Sequence, residues 1–298
     1  MIKRDLRRNW QVYLMALPVI AFYLIFHYTP MYGALIAFQD YSPAEGLIGA
    51  NWVGLRHFRD FLTSPDIGRL FKNTLTISLS SLAFGFTAPI ILALLLNELS
   101  NGWFKKLSQT LTYLPHFISM VVICGLVTSF VHSKGVISVL LSPFIGANVN
   151  MLMRENMFVP IYIISDIWQG VGWGSIIYIA AIAGIDPQLY EAAKIDGAGR
   201  WRQTLNVTLP GISSTIIIMF ILRMGGLLSV GHEKIILLYN PLIYAASDVI
   251  SSYVFRLGIL GQQWSYTAAI GLFNSVINFI LLISANLLCK KLFARSLW

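Results

Sequence analysis

The chain has 298 residues, of which 56% are apolar and 11% charged, with a formal net charge of +8 and a mean hydropathy of +0.69. Soluble domains carry about 25% charged residues, so composition excludes an ordinary soluble enzyme, and the same hydrophobicity excludes a disordered chain. The only two cysteines, Cys124 and Cys289, lie far apart in apolar runs and support neither a disulfide framework nor a zinc site.

A helix rising 1.5 Å per residue needs about 20 mostly apolar residues to cross ~30 Å of hydrocarbon, and six segments meet that length. The first is predicted over 11–28, where Pro18 is tolerable because neighbouring helices can satisfy the freed carbonyl. Lys3, Arg4, Arg7 and Arg8 precede it, as in a signal peptide. His27, Tyr28, Thr29 and Pro30 then follow in place of a small-residue cleavage site, which predicts an uncleaved anchor. In the loop from Pro30 to Lys72, Leu55, Phe58, Phe61 and Leu62 repeat at helical spacing and predict a short amphipathic helix on the outer membrane surface. That helix either covers the bundle or docks an extracytoplasmic partner. The second span is predicted over 73–96 with a kink at Pro89, the third over 108–131, the fourth over 158–184, the fifth over 211–230 and the sixth over 266–289. The stretch 235–260 is apolar, but Pro241, Asp248 and Arg256 interrupt it, so it reads as a re-entrant or surface segment.

Six spans place both termini on one side. That side carries twelve Lys and Arg in short segments, against eight in the longer loops opposite, so the positive-inside rule puts both termini in the cytoplasm. The basic balance is then mostly topology, and no aromatic-interleaved basic stripe points to nucleic acid. Enzyme signatures fail too. There is no Gly-Lys dipeptide for a phosphate-cradling loop, no second His follows His232-Glu233 at zinc-protease spacing, and no G-x-S-x-G elbow exists.

Polar residues inside spans are expensive and count as functional candidates. Asp166 and Gln169 in the fourth span, Arg223 in the fifth, and Asn274 and Asn278 at i and i+4 in the sixth qualify as pathway candidates. Trp168 and Trp173, near the first pair, could stack on sugar rings. The plainer alternatives are a mutual Asp166–Arg223 ion pair, or snorkelling, and interhelical hydrogen bonding by the two asparagines. An Arg223 on the pathway would favour an acidic sugar such as a uronate oligosaccharide.

The predicted cytoplasmic loop 186–210 is far longer than the usual two to eight residues between bundle helices. Asp186 is an N-cap type and Pro187 suits the first helical position, while Gly197 and Gly199 can end the helix in a left-handed conformation. A second short helix is predicted from Trp201, Thr204, Leu205 and Thr208 on one face, stopped by Pro210, with Gly211 opening the fifth span. A polar helix-Gly-helix elbow of this kind suits docking better than tethering.

The run Glu191-Ala192-Ala193, three residues, Gly197, nine residues, Val207, one residue, Leu209-Pro210 resembles the E-A-A loop of binding-protein-dependent ABC importer permeases, which has Ile in place of Val207. The resemblance extends over 73–289. Arg8-Asn9-Trp10, Tyr32-Gly33-Ala34 and Ile36-Ala37-Phe38 are similar to the carbohydrate-uptake branch, which includes maltose-type and polysaccharide or alginate oligosaccharide permeases. The resemblance implies an all-α, six-span type I importer permease in a bacterial cytoplasmic membrane. Its parts would be an N-terminal section over 1–72, the transporter domain over 73–289 and a tail over 290–298. It also implies a second, different permease subunit, two copies of a cytoplasmic ATPase carrying ATP and Mg, and an extracytoplasmic binding protein that delivers an oligosaccharide. No cofactor is implied on this chain. Glu191 would make a charge-assisted contact with the ATPase, Ala192 and Ala193 would allow close packing, Gly197 would give the turn, and Val207, Leu209 and Pro210 would set the return into the membrane. An ion-driven secondary transporter is the rival reading, with Asp166 and Arg223 as an ion relay, but it leaves the elbow without a role and no inverted repeat is visible. A membrane-embedded enzyme is a further rival, without a nucleophile-base or metal constellation to support it.

Overall fold

Where lipid surrounds a chain, each backbone N–H and C=O must be satisfied within the protein, and uninterrupted helices do this locally. A computed structural model describes residues 8–100 and 102–297; Lys3, Arg4 and Arg7, which enter the predicted charge asymmetry, lie outside them. Its main helices are α1 (Trp10–Phe38), α2 (Arg56–Leu62), α3 (Ile67–Glu98), α4 (Trp103–Tyr113), α5 (Met120–Val131), α6 (Glu155–Ala183), α7 (Pro187–Ile195), α8 (Arg200–Met224), α9 (His232–Leu238), α10 (Ile250–Leu260) and α11 (Trp264–Phe293). Among the described residues five helical runs are long and apolar enough to cross a bilayer, or six if α6 and α7, bent by 72° where they meet, count as one broken span.

The described residues divide into two compact units, 8–64 with 256–273, and 65–100 and 102–255 with 274–297. In the first, α1 leads into a two-stranded antiparallel ribbon, β1 (Gln39–Asp40) with β2 (Asn51–Trp52). Asp40 accepts from Arg56 at 2.7 Å, Trp52 stacks on Phe38, and Phe61 packs edge-on against Tyr266 and Phe273. The predicted amphipathic helix is present as α2, but its buried face is His57 and Phe61, whereas Leu55 and Leu62 are exposed. No side chain of α1 before Ala37 is buried by this chain.

In the second unit α6 is the central element. Its Phe158, Ile161, Tyr162 and Ile163 pack with Ile77 of α3, Ile123, Cys124 and Val127 of α5, and Ile235 and Leu238 of α9. Further along, Tyr178 and Ile182 join Ile90 and Ala93 of α3 and Ile212 of α8. At the α4–α6 crossing, a Cβ on Gly172 would strike the Thr112 carbonyl, so only glycine permits this approach.

Two predicted boundaries change. The third span is not one helix over 108–131: α4 stops at Tyr113, Leu114–Phe117 forms a tight turn, and Ile118 and Ser119 are extended before α5 begins. Pro115 lacks the N–H that would continue α4. Conversely, Pro210 does not stop the elbow's second helix, and α8 runs through it from Arg200 to Met224. A wide π-type turn over Thr204–Thr208, in which the Leu209 N–H reaches back to the Thr204 carbonyl, precedes the proline and makes room for its ring. The same device, over Ser81–Gly85, precedes Pro89 in α3.

The interrupted stretch 235–260 forms short helices rather than a span, as expected. It is fastened to α3: Asn73 Nδ2 donates to the Ala245 and Asp248 carbonyls at 3.0 Å each, the Ile250 N–H donates to Thr74 at 3.1 Å, and Arg69 meets the fully buried Asp248 at 3.5 Å.

Candidate functional site

The loop after α6 is built by local capping. Asp186 Oδ1 accepts from the Gln188 N–H at 2.9 Å and Pro187 occupies the first turn, so α7 starts where the sequence predicts. At its end the Ala198 N–H donates to the Ala193 carbonyl at 2.8 Å and the Gly197 N–H to that of Lys194 at 3.0 Å, a Schellman closure. Gly197 takes φ +74°, the left-handed conformation this closure needs. Gly199 does not share that role: with φ −67° it is extended and opens α8.

The elbow is then stiffened from within. Tyr190 Oη and Thr208 Oγ1 are 3.0 Å apart, and Gln203 Nε2 donates to the Ala198 carbonyl at 2.7 Å. Thr204 and Thr208 are buried, while Trp201 and Leu205, expected on the same face, are exposed. Val207 and Leu209 are half-buried, and Ala192 and Pro210 are exposed. Glu191 is exposed and makes no ion pair among the described residues. Ile195, four residues on and so on the same face of α7, is 87% exposed, and Leu189 on another face of α7 and Trp201 of α8 are 54% and 75% exposed. An uncovered charge among uncovered apolar side chains, on a rigid and doubly capped helix, is suited to docking.

A second feature is a cavity of about 240 Å³ between α3, α6, α8 and α9, lined among others by Ser78, Ser81, Tyr162, Asp166, Arg223 and Lys234. Arg223 does not pair with Asp166. Its Nη2 donates to Ser81 Oγ at 2.7 Å, and Asp166 instead meets Lys234 Nζ at 3.3 Å. Lys234, 2% exposed, also donates to the Tyr162 carbonyl at 3.2 Å and lies 4.7 Å from the Tyr162 ring centroid. Burial pushes the Lys234 ammonium below its ordinary pKa, and Asp166 opposes that shift.

Tyr162, Asp166, Gln169 and Trp173 recur at i, i+4, i+7 and i+11 and so form one stripe along α6. Trp173 stacks on His116 at 4.7 Å with Phe117 edge-on, and Gln169 reaches the Ile118 carbonyl at 3.5 Å, so the stripe follows the break between α4 and α5. Non-helical backbone at membrane depth is tolerated where it is buried in protein or lines an aqueous cavity. Trp168 departs from this group. Two positions past Asp166 it falls on another face and lines a separate apolar cavity of about 540 Å³ with Phe130, Ile161 and Ile164. Asn278 is engaged between helices, accepting from the Leu228 N–H at 3.0 Å and donating to Ser229 at 2.9 Å, whereas Asn274 Oδ1 is buried without a partner. Sequence reasoning missed Lys234, Ser81, His116 and Phe117. A lysine in an apolar stretch was the one signal available for the first, and a proline-broken span for the last two.

A family model described as "binding-protein-dependent transport system inner membrane component" matches residues 85–293. The polygalacturonan/rhamnogalacturonan transport system permease protein YteP of Bacillus subtilis (strain 168) is 46% identical over 283 residues, covering 94% of this chain and 88% of that protein. Among solved structures, a bacterial ABC transporter involved in the import of the acidic polysaccharide alginate contains a chain 43% identical to this one, with TM-score 0.89, covering 98% of this chain and 99% of that one. A bacterial alginate ABC transporter in complex with an alginate pentasaccharide-bound periplasmic protein gives TM-score 0.89 at 42% identity, covering 99% of each chain.

Proposed function

Because the chain belongs to the family of binding-protein-dependent transport system inner membrane components and is a multi-pass permease of the ABC oligosaccharide-importer type, we propose that it moves an oligosaccharide by alternating access, driven by ATP hydrolysis on a separate subunit. The observation that carries this reading is the elbow: α7 is capped at both ends, tied to α8 through Tyr190 and Thr208, and leaves Glu191, Leu189 and Ile195 uncovered.

In this reading both termini and the elbow face the cytoplasm, and α7 seats in the ATPase with Glu191 making the charge-assisted contact. Ala192 and Ala193 let the two backbones approach. Since the elbow continues into α8 without a break, displacement of α7 by the ATPase is transmitted to a membrane helix as a rigid motion rather than absorbed in a flexible loop. A second permease subunit completes the pathway, and a binding protein delivers the saccharide, a reading supported by the similar alginate transporter's complex with an alginate pentasaccharide-bound periplasmic protein. ATP and Mg belong to the ATPase subunits.

The test is co-purification with candidate ABC ATPase subunits, followed by assay of ATP hydrolysis with binding protein and oligosaccharide. Stimulation that is lost in Glu191→Ala while the subunits remain associated is the expected result; failure to associate with any ATPase contradicts the reading. The ion-driven alternative gives the exposed elbow nothing to bind.

A further inference from the structure

Within the polar cavity the charges are unequally committed. Asp166 is engaged by Lys234 at 3.3 Å. Arg223, by contrast, has no carboxylate within 4.0 Å among the described residues, and its one hydrogen bond is to Ser81. A guanidinium offers five N–H donors in a planar fork, so most of this one is unused. Three residues before Ser81 on α3, Ser78 also lines the cavity; it is 4% exposed, and its hydroxyl is buried without a hydrogen-bond partner among the described residues. Orphaned buried hydroxyls are uncommon because each forfeits its hydration without replacement. Met120, the first residue of α5, lines the same space, and the Ser119 side chain does not cap that helix, so its first-turn N–H groups add a positive field there.

We propose that this corner is a carboxylate subsite. One uronate carboxylate of the transported saccharide takes the free fork of Arg223 in a bidentate pair, while the Ser81 and Ser78 hydroxyls donate to it. The assignment rests on the oligosaccharide-importer reading and adds the substrate class: an acidic sugar, recognised one unit at a time. The size agrees, since about 240 Å³ is below the ~300–1,000 Å³ of pockets that enclose drug-sized ligands. Lys234 is not part of the subsite, because Asp166 and the Tyr162 carbonyl already occupy it. Glu233, which lines the cavity and makes no ion pair among the described residues, opposes the incoming charge and tempers affinity, so that bound saccharide can leave.

The experiment uses the complete importer, permease subunits with their ATPase, purified in detergent without binding protein. A fluorescently labelled galacturonate trisaccharide and its methyl ester are titrated against it. The free acid is expected to bind about tenfold or more tightly than the ester. Arg223→Gln should bring the ratio close to one, Arg223→Lys should keep part of the preference, and Glu233→Gln should raise it. Equal binding of acid and ester to the unaltered protein overturns the subsite, as does an Arg223→Gln complex, intact by size-exclusion chromatography, that keeps the full preference. The two readings fail separately. When binding protein is then added, saccharide-stimulated ATP hydrolysis together with no preference for the free acid leaves the importer standing and removes only the subsite, whereas no stimulation by any saccharide removes both.

Discussion

Two glycines in the elbow, two residues apart, have different physical duties. Gly197 sits at φ +74° with open space where a Cβ would go, so replacing it stresses only the backbone. Gly199, at φ −67°, occupies a conformation open to any residue. Gly197→Ala should therefore cost about 1–2 kcal/mol of local stability, fray the Schellman closure and lower saccharide-stimulated ATP hydrolysis, while Gly199→Ala leaves it near its original level. Equal effects from both would show that crowding, not the dihedral, sets the requirement. The Lys234–Asp166 pair gives a second prediction at this scale. Asp166→Asn leaves a buried ammonium without its counter-charge, a change that costs about 3–5 kcal/mol in fully buried pairs. With the Asp166 side chain 39% exposed, water screens part of that, and a loss of about 1–3 kcal/mol is expected. Lys234→Met combined with Asp166→Asn should recover thermal stability in detergent relative to Asp166→Asn alone; a double variant no more stable than the single would mean the pair is not a unit.

At the scale of elements, legibility followed locality. The caps of α7 were readable because Asp-Pro at the start and Gly at the end each act within one turn. The spans were readable because lipid demands long apolar runs. The break at 114–119 has one local mark, Pro115, and is otherwise silent, since hydropathy does not distinguish helix from extended chain. The passage of α8 through Pro210 was hidden for the opposite reason: a π-type turn cancels a rule that holds for regular helices. Contacts such as Lys234 with Asp166, 68 residues apart, have no local signature at all. Two tests belong here. Gly172→Ala places a Cβ against the Thr112 carbonyl, whereas Gly170→Ala meets nothing within 4 Å, so the first should lower the yield of assembled complex and the second leave it unchanged. Removal of the Tyr190–Thr208 bond by Tyr190→Phe should cost about 1 kcal/mol and reduce coupling. Adding Thr208→Val should then change little more, because both substitutions remove the same bond and the other contact of Thr208 Oγ1, to the Gln203 carbonyl at 3.5 Å, is long and weak.

For the whole molecule, the central claim is that energy enters at the elbow and work is done elsewhere, on a membrane pathway. Alternating access requires two populated arrangements, and only an interaction that differs between them can drive the exchange. In the proposed reading the driver is an ATPase acting on α7, and the receiver is the helix packing around α6. The exposed apolar sides of the spans are consistent with contact to lipid and a partner permease. The most direct measurement is saccharide uptake into proteoliposomes holding the reconstituted importer, with binding protein outside and ATP either trapped inside or omitted, each with and without a protonophore. The account predicts uptake that needs internal ATP, withstands the protonophore and disappears in Glu191→Ala. Uptake that proceeds without ATP and collapses with the protonophore would contradict it and make the protein an ion-driven transporter.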